Sequence, residues 1–390
     1  MKKIIGILGS TGSIGKTTLN IKSKNSNYFE VKLLSTNNNI KLIKKQIKKF
    51  KVKNIIIHDL NSFNQNKIYF RKKNIDVFHD INSFQLSKKI KFDYVMCSIS
   101  GLKGLEPTLK IIKSSKNIAI ANKEAIICGW NLIKDELNKF KTNFLPVDSE
   151  HFSIWSLLNK QIDNQKDKIE MIYLTASGGP FFKFSLNKLK NIKPKQAIKH
   201  PNWKMGKKMS VDSSTLMNKI FEVIEAKNIF DLEYKNIKIF IHPKSYVHGI
   251  VKFNNGLIKL LIHETSMKIP IFNTIFQKNE KKFKSKKINI DILNNLELSD
   301  VDNKKFPVIN LLKDMSKELS LFETVIVSAN DELVDLFLKD KIKFTDISKN
   351  LIKISKFKEF LRYKKIKPKN IDQIVKLNNY VRLKIKSLSV

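Results

Sequence analysis

Short runs of consecutive apolar residues punctuate the first 145 or so positions: "IIGIL" (4–8), "VKLLS" (31–35), "NIIIH" (54–58), "DYVMCSIS" (93–100), "NIAIAN" (117–122) and "NFLPV" (143–147). Helix-period segments separate them. A strand covered on both faces shows no polar alternation, so this pattern predicts a parallel sheet sandwiched between helices. A second pattern begins with "EMIYLTA" (170–176), a strand ending in "SGGP". A helical pattern covers 213–228. The runs "IKIFIHP", "SYVHGIVKF" and "GLIKLLI" follow, with Asn254, Asn255 and Gly256 marking a hairpin between the last two. This region reads as α+β with a largely antiparallel sheet. Residues 278–305 are rich in Lys and Asn and lose the apolar pattern, as a linker does. From about 307 the apolar positions recur at helical spacing, as in "TVIVSANDELVDLFLKD". The expected architecture is an α/β chain. It has an N-terminal Rossmann-type parallel-sheet domain (1–147), a central α+β domain (148–277), a linker (278–306) and a C-terminal helical domain (307–390).

Composition narrows the function classes. A 42% hydrophobic content supports packed cores and excludes a disordered chain. The charge is one-sided, 74 Lys+Arg against 35 Asp+Glu for a formal +39. It is nearly all Lys, however, and spread over the whole chain. No recognisable nucleic-acid module carries it, so no nucleic-acid partner is expected. The charge should instead draw anionic substrates over long range at low salt. Cys97 and Cys128 sit in apolar surroundings without metal-ligand spacing, as buried thiols do in a reducing compartment. The opening "MKKIIGILGS" is too short an apolar run for a signal or a membrane span. The expectation is a cytoplasmic protein with no membrane partner.

"GILGSTGSIGKTTL" places Gly9, Gly12 and Gly15 between the first strand and the first helix. Glycines there permit a tight turn and close approach of a pyrophosphate to a helix N-terminus. The other reading is a turn of small residues with no ligand. After the second strand, where a dinucleotide fold sets an acid for NAD or a base for NADP, stand Asn37, Asn38 and Asn39.

Two further stretches carry chemistry. In "LPVDSEHFSIW" (145–155) an apolar run stops at Asp148, Ser149, Glu150 and His151, which suits either a helix start or a ligand site at a strand end. In "SVDSSTLMNKIFEVIEA" (210–226), Asn218, Lys219, Glu222 and Glu225 share about a third of a helical wheel that is otherwise apolar. That seam is either a site or a solvated edge with a Lys–Glu pair. Ser213 is expected at the start of this helix, where hydroxyls and N–H groups suit an anion. Upstream, "HPNWKMGKK" (200–208) suits a mobile lid carrying Trp203, or a surface loop with one packed Trp.

Taken together, "GSTGSIG", "ANKEA", "PVDSEH", "LTASGGPF", "HPNWKMGKK", "SVDSSTLMNK" with "EVIEA", and "HPKSYVHGIV" resemble, in order and spacing, the signature blocks of the 1-deoxy-D-xylulose-5-phosphate reductoisomerases. "SANDELV" (328–334) resembles a block of that family's helical domain. The resemblance implies NADPH-dependent rearrangement and reduction of 1-deoxy-D-xylulose 5-phosphate to 2-C-methyl-D-erythritol 4-phosphate, the committed step of the non-mevalonate route to isoprenoid precursors. It implies one divalent metal (Mg²⁺, Mn²⁺ or Co²⁺), a phosphorylated sugar substrate and a homodimer.

Carried over by position, the resemblance assigns Asp148, Glu150 and Glu222 to the metal, and places Lys123 and His200 with them in the catalytic set. Ser149 would touch substrate hydroxyls, while Ser177, Ser213, Asn218 and Lys219 would grip the phosphate. His200 and Trp203 would close over the substrate. The cofactor would meet Gly9, Thr11, Gly12, Ser13, Ile14, Asn37, Asn38, Asn39, Asn122, Glu124, Met205 and Gly206. His151 has no assigned chemistry and suits a packed or orienting role. Two departures stand out. Asn37 and Asn38 occupy the places of a Gly and a basic residue, leaving the NADP phosphate to hydrogen bonds or to a Lys such as Lys41. The stretch "GLIKLLIHETSMKIPI" (256–271) also differs, and reads as drift at a sheet edge. A different NAD(P)-dependent dehydrogenase acting on a phosphorylated small molecule would explain the glycines but not the paired carboxylates.

Overall fold

A computed structural model describes residues 2–159, 168–203, 205–277 and 281–388. The chain divides into two compact units. The first comprises Met1–Ile126, Asn131–Asp148 and Met267–Phe283; the second comprises Ile127–Trp130, Ser149–Ser266 and Lys284–Val390.

The first unit is built on seven strands: β1 (Lys3–Leu8), β2 (Phe29–Thr36), β3 (Asn54–Ile57), β4 (Asp76–Phe78), β5 (Tyr94–Cys97), β6 (Asn117–Ile120) and β7 (Asn143–Pro146). They lie in the order β4-β3-β2-β1-β5-β6-β7, and every pairing is parallel. Each predicted run forms a strand; β4, three residues long, adds an edge the pattern did not show. Ile7, Leu8, Leu33, Leu34, Ile55, Ile56, Val95 and Met96 are wholly buried, as strands covered on both faces require. The strand order reverses between β1 and β5. In open sheets of this kind, ligands bind outside the strand C-termini at that point. The helix Lys268–Ile275 counts with this unit, although the sequence pattern groups it with the central region. Phe276 packs on Phe29 and Tyr28 with ring centroids 5.2 and 6.1 Å apart, and Thr274 bonds Tyr94 Oη at 3.0 Å.

The second unit holds β8 (Ile169–Ala176), β9 (Ile237–Ile241), β10 (Val247–Phe253), β11 (Ile258–Ile262) and β12 (Ser299–Asp300), in the order β11-β10-β8-β9-β12. The hairpin β10–β11 turns at Gly256, whose φ of +85° favours glycine. β10–β8 and β9–β12 are also antiparallel, whereas β8–β9 is parallel. The helix Ser149–Leu157 lies on β10. Gly249 allows this, because a Cβ there would stand 3.3 Å from Ile154. Within the stretch read as a linker, Ile290–Asn294 is helical and β12 joins the sheet; positions 278–280 lie outside the described residues. Toward the C-terminus, Leu321–Leu338 starts from a capping box between Ser320 and Glu323. Phe344–Ser355 and Ile371–Leu388 follow.

The helix predicted over 213–228 is in fact two helices, Lys207–Ser214 and Met217–Phe230. Buried Leu216 breaks them with φ +67°. A left-handed leucine costs about 1–2 kcal/mol, so surrounding packing must impose it. Ser213 therefore lies in the last turn of the first helix, not at a helix start. Asn218 and Lys219 open the second.

Candidate active site

In the first unit, β1 is followed directly by Gly9, whose φ is +82° and whose Cβ, if present, would meet the Ser98 carbonyl at 2.6 Å. Only glycine fits there. Gly15 is equally constrained, since a Cβ would come 2.4 Å from the Gly9 carbonyl. Gly12 is the N-cap of Ser13–Lys24, and no side chain caps that helix. Its first-turn N–H groups at Ser13 and Ile14 are thus presented for an anion. The turn is braced from below. Gly9 N–H donates to Ser35 Oγ at 2.8 Å, Ser10 Oγ donates to Gln46 Oε1 at 2.7 Å, and Thr11 Oγ1 lies 2.9 Å from Thr36 Oγ1. Asn37, Asn38 and Asn39 are exposed after β2. Asn39 Oδ1 caps the next helix by accepting from Leu42 N–H at 3.1 Å, so its side chain is partly committed.

Asn122 is a brace. Its Oδ1 accepts from Ala125 N–H at 2.7 Å, while Nδ2 donates to the carbonyls of Gly101, at 2.7 Å, and Ile99. It fixes the start of helix Lys123–Phe140, whose first turn carries Lys123 and Glu124. Lys123 is buried and ion-pairs with Asp148, the residue after β7 and Val147.

In the second unit, Ser149, Glu150 and His151 open the helix Ser149–Leu157. Lys219 Nζ lies 2.7 Å from Glu150 Oε1 and also pairs with Glu222. Asn218 Nδ2 donates to Glu222 Oε1 at 2.6 Å, and Ser149 Oγ donates to Glu150. Carboxylate oxygens of Glu150 and Glu222 lie within 4.8 Å of each other. Burial opposes the Lys219 ammonium, but the two carboxylates outweigh it and hold its pKa above the ordinary lysine value. The seam predicted on this helix is therefore buried, not a solvated edge: Lys219, Glu222 and Glu225 are 2–4% exposed. His151 does orient its neighbours. Its Nε2 lies 2.9 Å from the Glu222 carbonyl, and its Nδ1 3.9 Å from Glu225.

His200 defines a second cluster. The backbone N–H groups of Asn202 and Trp203 both donate to its Nδ1, at 3.1 and 3.0 Å. Nδ1 is thus bare, and Nε2–H donates to Ser177 Oγ at 3.1 Å. Burial holds this imidazole's pKa down to about 4, so the ring is neutral at pH 7. Ser177 Oγ also accepts from Gly179 N–H at 3.1 Å. With both lone pairs engaged, its own proton is left to donate outward. Gly179, at φ +70°, lies against the backbone of Ser213 and Ser214; a Cβ would stand 3.0 Å from both. Asn202 anchors the stretch to Pro243 O and Ser245 Oγ at 2.8 and 2.9 Å. Met205 is half-buried and Gly206 caps Lys207–Ser214; Lys204 lies outside the described residues.

Other residues of this cluster escaped the sequence reading. Asp212 accepts from Lys208 Nζ at 3.0 Å and from buried Asn330 Nδ2 at 2.7 Å, tying "SVDSS" to "SANDELV" across 118 positions. Those two motifs held the signal. His248 and His263 also escaped it.

Three family profiles match the chain: 1-deoxy-D-xylulose 5-phosphate reductoisomerase over residues 5–129, and two C-terminal domains of that enzyme over 144–230 and 262–384. The curated 1-deoxy-D-xylulose 5-phosphate reductoisomerase of Pelagibacter ubique is 58% identical over the whole of both chains. That of Clostridium tetani is 38% identical over 89% of this chain and 90% of its own. Among solved structures, the Zymomonas mobilis reductoisomerase in complex with NADPH superposes with a TM-score of 0.87 at 28% identity, covering 100% of this chain and 99% of that one. A DOX-P reductoisomerase in complex with NADPH, fosmidomycin and magnesium reaches 0.90 at 27% identity, covering 99% and 98%. Full-length kinship at this level makes the chain a member of the 1-deoxy-D-xylulose-5-phosphate reductoisomerase family.

Proposed function

We propose that the chain catalyses NADPH-dependent conversion of 1-deoxy-D-xylulose 5-phosphate to 2-C-methyl-D-erythritol 4-phosphate through the residues described above. The observation that carries this is the pair of carboxylates Glu150 and Glu222, the first partly and the second fully buried, with the buried Lys219 ammonium between them. Asp148, directly before the Ser149 helix, supplies a third carboxylate. These are hard oxygen donors of the kind that suit Mg²⁺, Mn²⁺ or Co²⁺. Asp148, Glu150 and Glu222 would hold one such ion, which when bound polarises carbonyl and hydroxyl oxygens of the substrate. NADPH, when bound, supplies the hydride.

The chain's own groups do the rest. The open first turn at Ser13 and Ile14 receives the cofactor pyrophosphate, and Thr11, Gly12 and the Asn37–Asn39 stretch flank it. Asn122 sets the helix that presents Lys123 and Glu124. Ser177 donates its free proton to the substrate phosphate, joined by Ser213, Asn218 and Lys219, so that binding energy remote from the reacting carbons orients them. Neutral His200 cannot act as a charged clamp. It fixes Ser177 through Nε2–H and the Asn202–Trp203 backbone through Nδ1. Trp203 covers the substrate, with Met205 and Gly206 toward the cofactor. Ser149 meets substrate hydroxyls.

We further propose a homodimer in the cytoplasm. The edge strand β11 leaves Ile258 and Leu260 exposed beside Leu257, an apolar edge that a second copy would cover. Cys97 and Cys128 are buried and form no disulfide, and no helix among the described residues is long and apolar enough to cross a membrane. Light scattering at the mass of one 45.3 kDa chain would refute the dimer.

The decisive assay follows NADPH absorbance with 1-deoxy-D-xylulose 5-phosphate, with and without EDTA. Consumption of one NADPH per substrate, abolished by EDTA and restored by Mg²⁺, is expected. Full turnover in EDTA would refute the carboxylate assignment.

A further inference from the structure

The stretch "GLIKLLIHETSMKIPI" contributes a ring to a buried aromatic column. The β10–β11 ladder pairs Val247 with Ile262 and Gly249 with Leu261, so the register shifts at His248, which is the extra residue of a β-bulge. A bulge turns the extra side chain out of the regular pleat. His248 Nε2–H donates to the His263 carbonyl at 3.0 Å, closing the bulge with a side chain. His263 Nδ1–H donates to the Glu264 carbonyl at 2.6 Å, which fixes that ring as well.

The two imidazoles stack, with centroids 3.7 Å apart and planes 17° from parallel. They are 2% and 8% exposed. The edge contact of Trp203 falls on the His248 ring, at 6.0 Å and 74°. Phe152, from the helix that carries Glu150, lies 6.5 Å from His263. Trp203 is therefore held twice: its backbone N–H by His200, and its indole by a ring that His263 backs. His248 alone, on a bulge, has one hydrogen bond to set its plane. The stack supplies the second constraint.

We propose that His263 is a positioning residue for the reaction, fixing the plane of His248 and, through it, the indole of Trp203 over the substrate. This rests on the reading of Trp203 as the substrate cover. The stacking itself needs a flat ring: His263 Nε2 is buried and without a hydrogen-bond partner among the described residues, and Nδ1–H serves only to hold its own ring, through the Glu264 carbonyl.

The test compares steady-state kinetics of the holoenzyme with His263→Ala, His263→Leu, His263→Phe, Trp203→Ala and the His263→Ala/Trp203→Ala double variant. An aromatic contact of this kind corresponds to roughly 2- to 10-fold in affinity. His263→Ala and His263→Leu should raise KM for 1-deoxy-D-xylulose 5-phosphate by about that factor, leaving kcat and the KM for NADPH within twofold. His263→Phe should restore the wild-type KM. Leucine fills the volume without a ring, so agreement of Leu with Ala, against Phe, separates stacking from simple packing and serves even where Ala fails to fold. In the Trp203→Ala background, His263→Ala should add nothing. An unchanged KM in His263→Leu beside a raised KM in Trp203→Ala would overturn the inference and leave the Trp203 reading standing. So would a full additive effect in the double variant. If Trp203→Ala itself leaves KM unchanged, the reading of Trp203 falls and the inference with it.

Discussion

Replacing Lys219 by Met tests the site where its electrostatics are most exposed to measurement. The change keeps an unbranched side chain and removes the ammonium that stands between Glu150 and Glu222. The side chains of Lys219, Glu222 and Glu150 are 5, 2 and 12% exposed. Breaking a buried ion pair by deleting one partner costs about 3–5 kcal/mol. The low end applies here, because Glu150 keeps some solvent and Asn218 still donates to Glu222. At roughly 2–4 °C per kcal/mol for a unit of about 200 residues, about 3 kcal/mol lowers the melting temperature in EDTA by roughly 6–12 °C. The Lys219 pKa is raised, so its contribution is complete below the ordinary lysine value and lost only as pH climbs through the folded value. Neutral buffer therefore measures all of it. A divalent ion restores positive charge to the carboxylates, and in the variant no ammonium competes with it. Mg²⁺ should therefore raise the melting temperature more in Lys219→Met than in the wild type. Differential scanning fluorimetry in EDTA and in saturating Mg²⁺ reads both quantities. A variant that melts with the wild type in EDTA, and gains no more from Mg²⁺, would show that Lys219 does not serve as the resident cation of these carboxylates.

Two further outcomes are expected. Asn38→Arg should tighten NADPH by about tenfold, as a charge-assisted hydrogen bond does, and leave NADH unchanged; equal gains for both cofactors, read by nicotinamide fluorescence titration, would place the 2′-phosphate elsewhere. Burial pushes the Glu323 carboxyl up to about 7, against hydrogen bonds from Ser320. Folding thus favours its protonated form, and the stability present below about 4.5 is lost as pH rises to about 7. Glu323→Gln does not titrate, so its melting-temperature advantage over wild type should grow between about pH 5 and pH 8, by at most about 3 kcal/mol in stability; parallel profiles would disprove the shift.

The strands of the first sheet were legible because burial on both faces leaves unbroken apolar runs. β4 was not, since Asp76–Phe78 is too short to show a period. The glycine turn could be read in detail because Gly9 and Gly15 answer to backbone geometry, which is local. Leu216 could not: leucine has no preference for positive φ, and packing from distant segments imposes it. The same limit hid the site's electrostatics. Helical spacing placed Lys219 beside Glu222, but nothing local announces Glu150, 69 positions earlier, on the same ammonium. His200 was read as catalytic from its motif, and its tautomer emerges only from the two backbone donors that fold onto Nδ1. His263 lay in a stretch read as drift because its partner sits across a hairpin bulge, where sequence separation says little about contact.

The return of Met267–Phe283 to the first unit bears on how the chain is made. When Asp148 leaves the ribosome, all seven strands of the parallel sheet have been synthesised, yet Tyr28, Phe29 and Tyr94 still lack Phe276 and Thr274. At about 5–20 residues per second, roughly 7–27 s pass before that helix emerges. For that interval Phe29 and Tyr28 lack the ring of Phe276, and Tyr94 lacks its hydroxyl partner. A fragment ending near residue 148 would lack these contacts permanently, and should aggregate unless the 267–283 segment is supplied in trans.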